Sequence, residues 1–170
     1  ARAMTTTTIV VTSGAGPEPR PGLAESWTVS DDRKTYTFKL RQGVKWHDGA
    51  PFTSEDVKFS IEKVVRPYHS RGRVYFGDVQ EIATPDPFTV VFTLKAPVPF
   101  FMNVFQPGEA PIMPKHVLEK IDTSTAGAVR GSELMQKPVG TGPFKLQEWK
   151  KGSHIILEKN PDYWRKGHPC

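Results

Sequence analysis

Cysteine is almost missing from this chain: the single one is Cys170, the last of 170 residues. A disulfide framework within the chain and a cysteine-built zinc site are therefore excluded. The five histidines stand at 47, 69, 116, 154 and 168, and none has a second at metal-ligand spacing. No apolar run approaches the ~18 residues of a membrane-spanning helix. A nucleophile elbow of the Gly-x-Ser-x-Gly type is lacking, and the sequence singles out no carboxylate pair. Gly140–Phe144 (GTGPF) lacks the Lys-Ser/Thr that closes a phosphate loop and precedes a strand, so it reads as a backbone turn. His47-Asp48, inside Trp46-His47-Asp48-Gly49, reads as a strand end running into a turn. These absences leave no catalytic constellation. An enzyme is the least expected class, and neither a cofactor nor a metal is implied.

Acidic residues are outnumbered, 18 against 23 Lys and Arg, which gives a net charge of +5. The bases are spread along the chain apart from Arg66, Arg71 and Arg73 with His69. No basic helix and no nucleic-acid motif accompanies them, so the charge alone does not point to a nucleic-acid partner. Proline is abundant: 16 residues, roughly twice the ~5 % background. That suits short strands and ordered loops better than a helical bundle. With 37 % hydrophobic residues and a mean hydropathy of −0.44, a soluble chain is expected. Its length suffices for one domain with its own core. No repeat or low-complexity linker divides residues 1–170, which read as one compact unit.

The most ordered signal runs from Pro21 to Val64. Leu23–Ser30 and Thr35–Arg41 flank Asp31-Asp32-Arg33-Lys34. In the second segment Tyr36, Phe38 and Leu40 fall on one face and Thr35, Thr37, Lys39 and Arg41 on the other, a period of two that predicts a half-buried strand. The charged tetrad predicts the hairpin turn. Asp48-Gly49-Ala50-Pro51 marks a second turn. Thr53 then caps a helix with Glu55 and Asp56 in its first turn and apolar Val57, Ile61, Val64 and Val65 at helical spacing. Pro67 predicts its end near Val65.

Elsewhere, Thr5–Thr12 reads as a strand and Ser13–Pro21 as a Gly/Pro-rich loop. Arg66–Gly77 reads as a basic and aromatic loop. Asp78–Ala83 and Phe88–Leu94 predict a hairpin around Thr84–Pro87. Pro97–Gln106 and Pro114–Ile121 predict short helices, with a loop at Pro107–Pro111. Ser124–Gln136 is polar, with room for one helical turn, and is expected to be mobile. Phe144–Trp149 and His154–Lys159 predict a last hairpin, followed by a turn or short helix at Asn160–Trp164. The fold class that emerges is α+β, with antiparallel hairpins packed by a few helices.

Taken as a string, Pro21–Val64 closely resembles the N-terminal signature of the family 5 extracellular solute-binding proteins. The resemblance continues in order through the helix at Thr53–Val57, Phe88–Phe101 (FTVVFTLKAPVPFF), Pro114-Lys115-His116, Lys137–Leu146 (KPVGTGPFKL) and Lys159–Trp164 (KNPDYW). It implies the accessory α+β subdomain of the first lobe of a type II periplasmic-binding-protein-like fold, hence one piece of a larger two-lobed receptor. Residues 1–20 are partly a junction in this reading: Ala1–Thr8 stands where members carry a further segment. Such receptors capture peptides or related solutes for a bacterial ABC importer, so the implied partners are a small solute and a membrane permease. The implied location is periplasmic or extracellular and membrane-associated, and rests on the resemblance. The first-lobe motifs are shared by binders of peptides, nickel complexes, opines, oligosaccharides and haem, which leaves the solute open.

By position, the loops Arg71–Phe76 and Phe105–Glu109 resemble segments that approach the ligand cleft. Arg73 is the candidate fork for a solute carboxylate. Tyr75 and Phe76 are candidates for stacking on a solute, or alternatively core anchors. Gln106 and Glu109 complete the set. Trp27, Trp46, Trp149 and Trp164 read as core or rim residues. The apolar Phe100, Phe101, Val104 and Phe105 form either internal core or surface that the missing lobe covers. The isolated chain is expected to be a monomer or to self-associate weakly. Two rival readings stand beside the receptor: a protein-interaction module whose exposed face docks a partner or self-associates, and a basic nucleic-acid-binding domain.

Overall fold

The computed structural model describes residues 7–12, 18–106 and 109–168. Where the sequence suggests one compact unit, the chain forms two. The larger holds Thr8–Gln42 and Thr53–Ile112; the smaller holds Gly43–Phe52 and the run from Met113 onward, with Thr7. The stretch between two elements of the larger unit is thus recruited by distant residues, a pairing that no local periodicity announces.

The larger unit is built on a four-stranded antiparallel sheet in the order β3-β4-β6-β5: β3 (Ala24–Val29), β4 (Thr35–Leu40), β5 (Val79–Asp86) and β6 (Thr89–Leu94). The predicted alternation on β4 holds, with Tyr36, Phe38 and Leu40 buried. Their partners across the ladder are buried as well: Tyr36 faces Phe92 and Phe38 faces Val90. Between β3 and β4 the Asp32 carboxylate accepts hydrogen bonds from Ser30 Oγ and the Lys34 N–H, which closes the predicted turn. β1 (Val10–Thr12) pairs with β2 (Pro19–Pro21) in a separate ribbon. The expected strand is therefore shorter than Thr5–Thr12; Thr5 and Thr6 lie outside the described residues, as do Ser13–Pro17 of the expected loop. Pro19-Arg20-Pro21 forms strand rather than loop. Proline tolerates an edge position because its missing N–H is not needed there.

Helix α1 (Ser54–Ser60) starts as its sequence predicts, with the Asp56 carboxylate accepting the Thr53 N–H at 2.9 Å. Ser54 docks this end on the β5–β6 turn through its N–H to Pro87 O and its hydroxyl to Asp86 O. The expected stop at Pro67 is corrected. Ile61–Val65 continues as a π-helical turn and α2 (Arg66–Tyr68) follows without a break. In the π turn the ladder runs one residue longer, as in the Arg66 N–H to Ile61 O bond. The wider turn accommodates a ring that would clash in a regular α-helix. The expected loop after it contains another helix, α3 (Gly72–Phe76). Gly72 is required by close approach: a Cβ there would sit 1.9 Å from Val65 O.

Val57, Ile61, Val64 and Val65 are buried, as the helical spacing predicts. Phe38, Phe76, Phe92, Phe101 and Phe105 form an aromatic cluster in which Phe105 lies 5.0 Å from Phe38, 5.1 Å from Phe92 and 5.3 Å from Phe101. The tilted, edge-on geometry is the favoured one for aromatic pairs. The apolar run of the sequence is thus split. Phe101, Val104 and Phe105 are core, whereas Phe100 is 81 % exposed. Phe100 has φ +62°, so the helix expected from Pro97 begins only after it, as a 3₁₀ helix at Phe101–Phe105.

In the smaller unit Trp46 is buried against Phe52, 5.6 Å between rings. The predicted turn between them closes through Trp46 N–H to Ala50 O, with Gly49 at φ +88°. Helix α4 (Lys115–Leu118) is shorter than expected. The polar stretch after it holds two short helices, α5 (Ala126–Gly131) and α6 (Glu133–Gln136), where one turn was expected. Strands β7 (Phe144–Lys150) and β8 (His154–Lys159) pair as the predicted hairpin.

Candidate functional site

The sequence-predicted residues all belong to the larger unit, and the structure sorts them. Phe76 is fully buried against Phe101 and Phe105. Its ring belongs to the core, so it offers no face for stacking on a solute. Arg73 is exposed on α3, and Tyr75 is half-buried on the same helix. Gln106, half-buried, caps the 3₁₀ helix, and Glu109 follows it with its N–H bonded to Gln106 O.

Arg71, at the head of α3, brings two of these residues together. Its Nη1 donates to Tyr75 Oη at 3.0 Å and to Glu109 Oε1 at 2.9 Å. The Tyr75 bond and the Glu109 carboxylate hold the guanidinium above its ordinary value, so it is a fixed cation. Only one terminal nitrogen is used in these bonds. The side chain is 60 % exposed. The other oxygen of Glu109 is buried and makes no hydrogen bond among the described residues. The arrangement offers a preoriented guanidinium, the geometry suited to a carboxylate. Sequence reasoning placed this role on Arg73. The signal it passed over is the spacing of Arg71 and Tyr75, four apart and hence neighbours on one helix face.

The smaller unit carries an open furrow of about 590 Å³ lined by His47, Val139, Lys145, Glu148, Trp149 and Glu158 among others. Beside it, Asp48 Oδ2 bonds His116 Nε2 at 2.5 Å. Burial works to raise the Asp48 carboxyl, but the His116 bond and the Ala50 N–H outweigh it and hold it below the usual carboxylate value. Among the described residues no group of three or more His, Cys, Asp and Glu side chains is arranged to hold a metal ion.

Residues 18–169 match the family of bacterial extracellular solute-binding proteins, family 5 middle. The chain belongs to that family. It is 38 % identical over 149 residues to the glutathione-binding protein GsiB of Salmonella paratyphi A, covering 86 % of this chain and 27 % of that one. It is 32 % identical over 170 residues to the dipeptide-binding protein DppE of Bacillus subtilis, with 90 % and 30 % covered. Among solved structures it resembles NikZ from Campylobacter jejuni in complex with Ni(L-His). The TM-score is 0.80 at 33 % identity, over 95 % of this chain and 31 % of that one. The expected α+β architecture of antiparallel sheets and few helices is thus that of known solute-binding proteins. The chain spans about 27–31 % of the length of these proteins.

Proposed function

We propose that the whole protein is a receptor that captures a small peptide or a related solute outside the cytoplasm and delivers it to a membrane ABC permease. The chain described here supplies one wall of its first lobe. The observation that supports this reading is the match along residues 18–169 to a family whose similar members are named for glutathione, a dipeptide and a nickel–histidine complex. A solute that touches both lobes biases the closed population, and one lobe alone has no closure to bias. Within this wall, Arg71 and Arg73 serve a carboxylate of the solute, and Tyr75, Gln106 and Glu109 border it.

Thermal unfolding followed by tryptophan fluorescence tests the reading, with and without a pool of di- to pentapeptides. A ligand that binds only the folded state raises the midpoint, by about 2.7 kcal/mol of stability at a hundredfold excess over Kd. The full-length receptor is expected to shift and the isolated chain to stay unmoved. Saturable micromolar binding by the isolated chain would place the whole pocket in this wall. A full-length receptor that no peptide or related solute moves would overturn the receptor reading.

A further inference from the structure

Two turns that stand out in the sequence, Trp46-His47-Asp48-Gly49 and Gly140–Phe144, meet inside the smaller unit. The His47 N–H donates to Gly140 O at 2.8 Å. The Gly140 N–H returns a bond to His47 Nδ1 at 3.1 Å. That bond fixes the tautomer, because an acceptor Nδ1 carries no proton and the proton must sit on Nε2. Nε2 lies 3.0 Å from Gly142 O, where it donates. Gly142 O also accepts from Asn160 Nδ2 at 3.0 Å, and the Thr141 N–H donates to Thr7 Oγ1 at 2.9 Å. The glycine turn is therefore held at three successive residues. The contact at Gly140 alone depends on a nitrogen that can take up a proton.

We propose that this clasp is an acid-opened latch: neutral His47 holds the Gly140–Phe144 turn onto the Trp46–Gly49 turn, and protonation at Nδ1 releases it. A proton there sets one N–H against another and leaves the Gly140 amide without its acceptor. The surroundings favour the neutral ring. Partial burial is the main cause that lowers its affinity for a proton, and Lys145 on β7 adds to it. The bond to Gly142 O and the Asp48 carboxylate act the other way without reversing the direction. Lys137, Glu148 and Glu158 line the same furrow. Acid therefore loosens the turn at Gly140, where the acceptor is lost. The bond that acid removes lies in the turn that leads into β7.

Nuclear magnetic resonance on this chain tests the latch. At neutral pH the His47 ring is expected as the Nε2–H tautomer, titrating below the ordinary value of 6.5. Hydrogen-exchange protection of the Gly140 amide, corrected for intrinsic rate, is expected to fall about tenfold a pH unit below that midpoint, while protection of the Phe38 amide holds. His47→Asn keeps an acceptor near the Nδ1 position but cannot titrate, so its Gly140 protection is expected to be flat with pH. An Nδ1–H tautomer, a midpoint at or above the ordinary value, or flat Gly140 protection in the unmodified chain each overturns the proposal. So does a His47→Asn variant with unchanged pH dependence. The tautomer and midpoint are read on the unmodified chain and stand even where the variant does not fold.

Discussion

Arg71 and Glu109, from segments on either side of the β5–β6 hairpin, pair at 2.9 Å with Tyr75 sharing the same nitrogen. The pair is solvent-facing on the arginine side, and salt screens such contacts within about 3 Å at 1 M. A double-mutant cycle on Arg71→Gln and Glu109→Gln is expected to show a small coupling in low salt that vanishes in high salt. A coupling that survives would mean that the pair is shielded and structural. On the proposed receptor reading, Arg71→Gln in the full-length protein is expected to weaken binding of a solute with a free carboxylate and to spare its amide.

Gly72→Ala is expected to destabilise the chain by about 1–3 kcal/mol in urea unfolding. The added methyl would meet the Val65 carbonyl, a backbone atom that cannot step aside without disturbing the end of the π turn. A neutral result would mean that α3 shifts freely against the long helical run.

Phe38→Ala and Phe100→Gly are expected to act in opposite directions. Phe38 touches Phe92 and Phe105 within the core, and truncation there costs about 3–5 kcal/mol. Phe100 is exposed and held at φ +62°. Glycine relieves that backbone conformation, worth about 1 kcal/mol of stability. Chemical denaturation separates the two. A loss of stability in Phe100→Gly would show that the exposed ring packs on something in solution.

Stability should fall in two acid steps. The folded-state value of His47 is depressed, chiefly by burial. Its contribution is therefore complete above 6.5 and lost as pH falls through the folded value. The Asp48 carboxyl is depressed too, because the His116 and Ala50 bonds outweigh burial. Its contribution is complete above 3.8 and lost only below that. Urea midpoints across this range check both steps, and His47→Asn is expected to remove the upper one alone.

The elements that sequence predicted well are those whose signal is local. The β3–β4 hairpin follows from alternation around a charged turn, and α1 from Thr53 and the acidic first turn. What escaped prediction depends on partners far along the chain. Pro67 looks like a stop until a π turn makes room for its ring. Pro19 and Pro21 look like loop until a free sheet edge accepts them. The start of the 3₁₀ helix depends on one left-handed residue, which no apolar pattern reveals. The candidate site was legible as a region, through the two loops that Arg71 joins. Its division of labour was not, because burial decides that Phe76 is core and helix-face geometry decides that Arg71, not Arg73, meets Glu109.

The carbonyl of Gly142 receives both His47 and Asn160. Three positions remote in sequence are therefore committed to one oxygen. A substitution at either donor alters the demand on the other, so related chains are expected to exchange these two residues together. A swap of the GTGPF segment between members of the family should succeed only when the histidine and the asparagine travel with it.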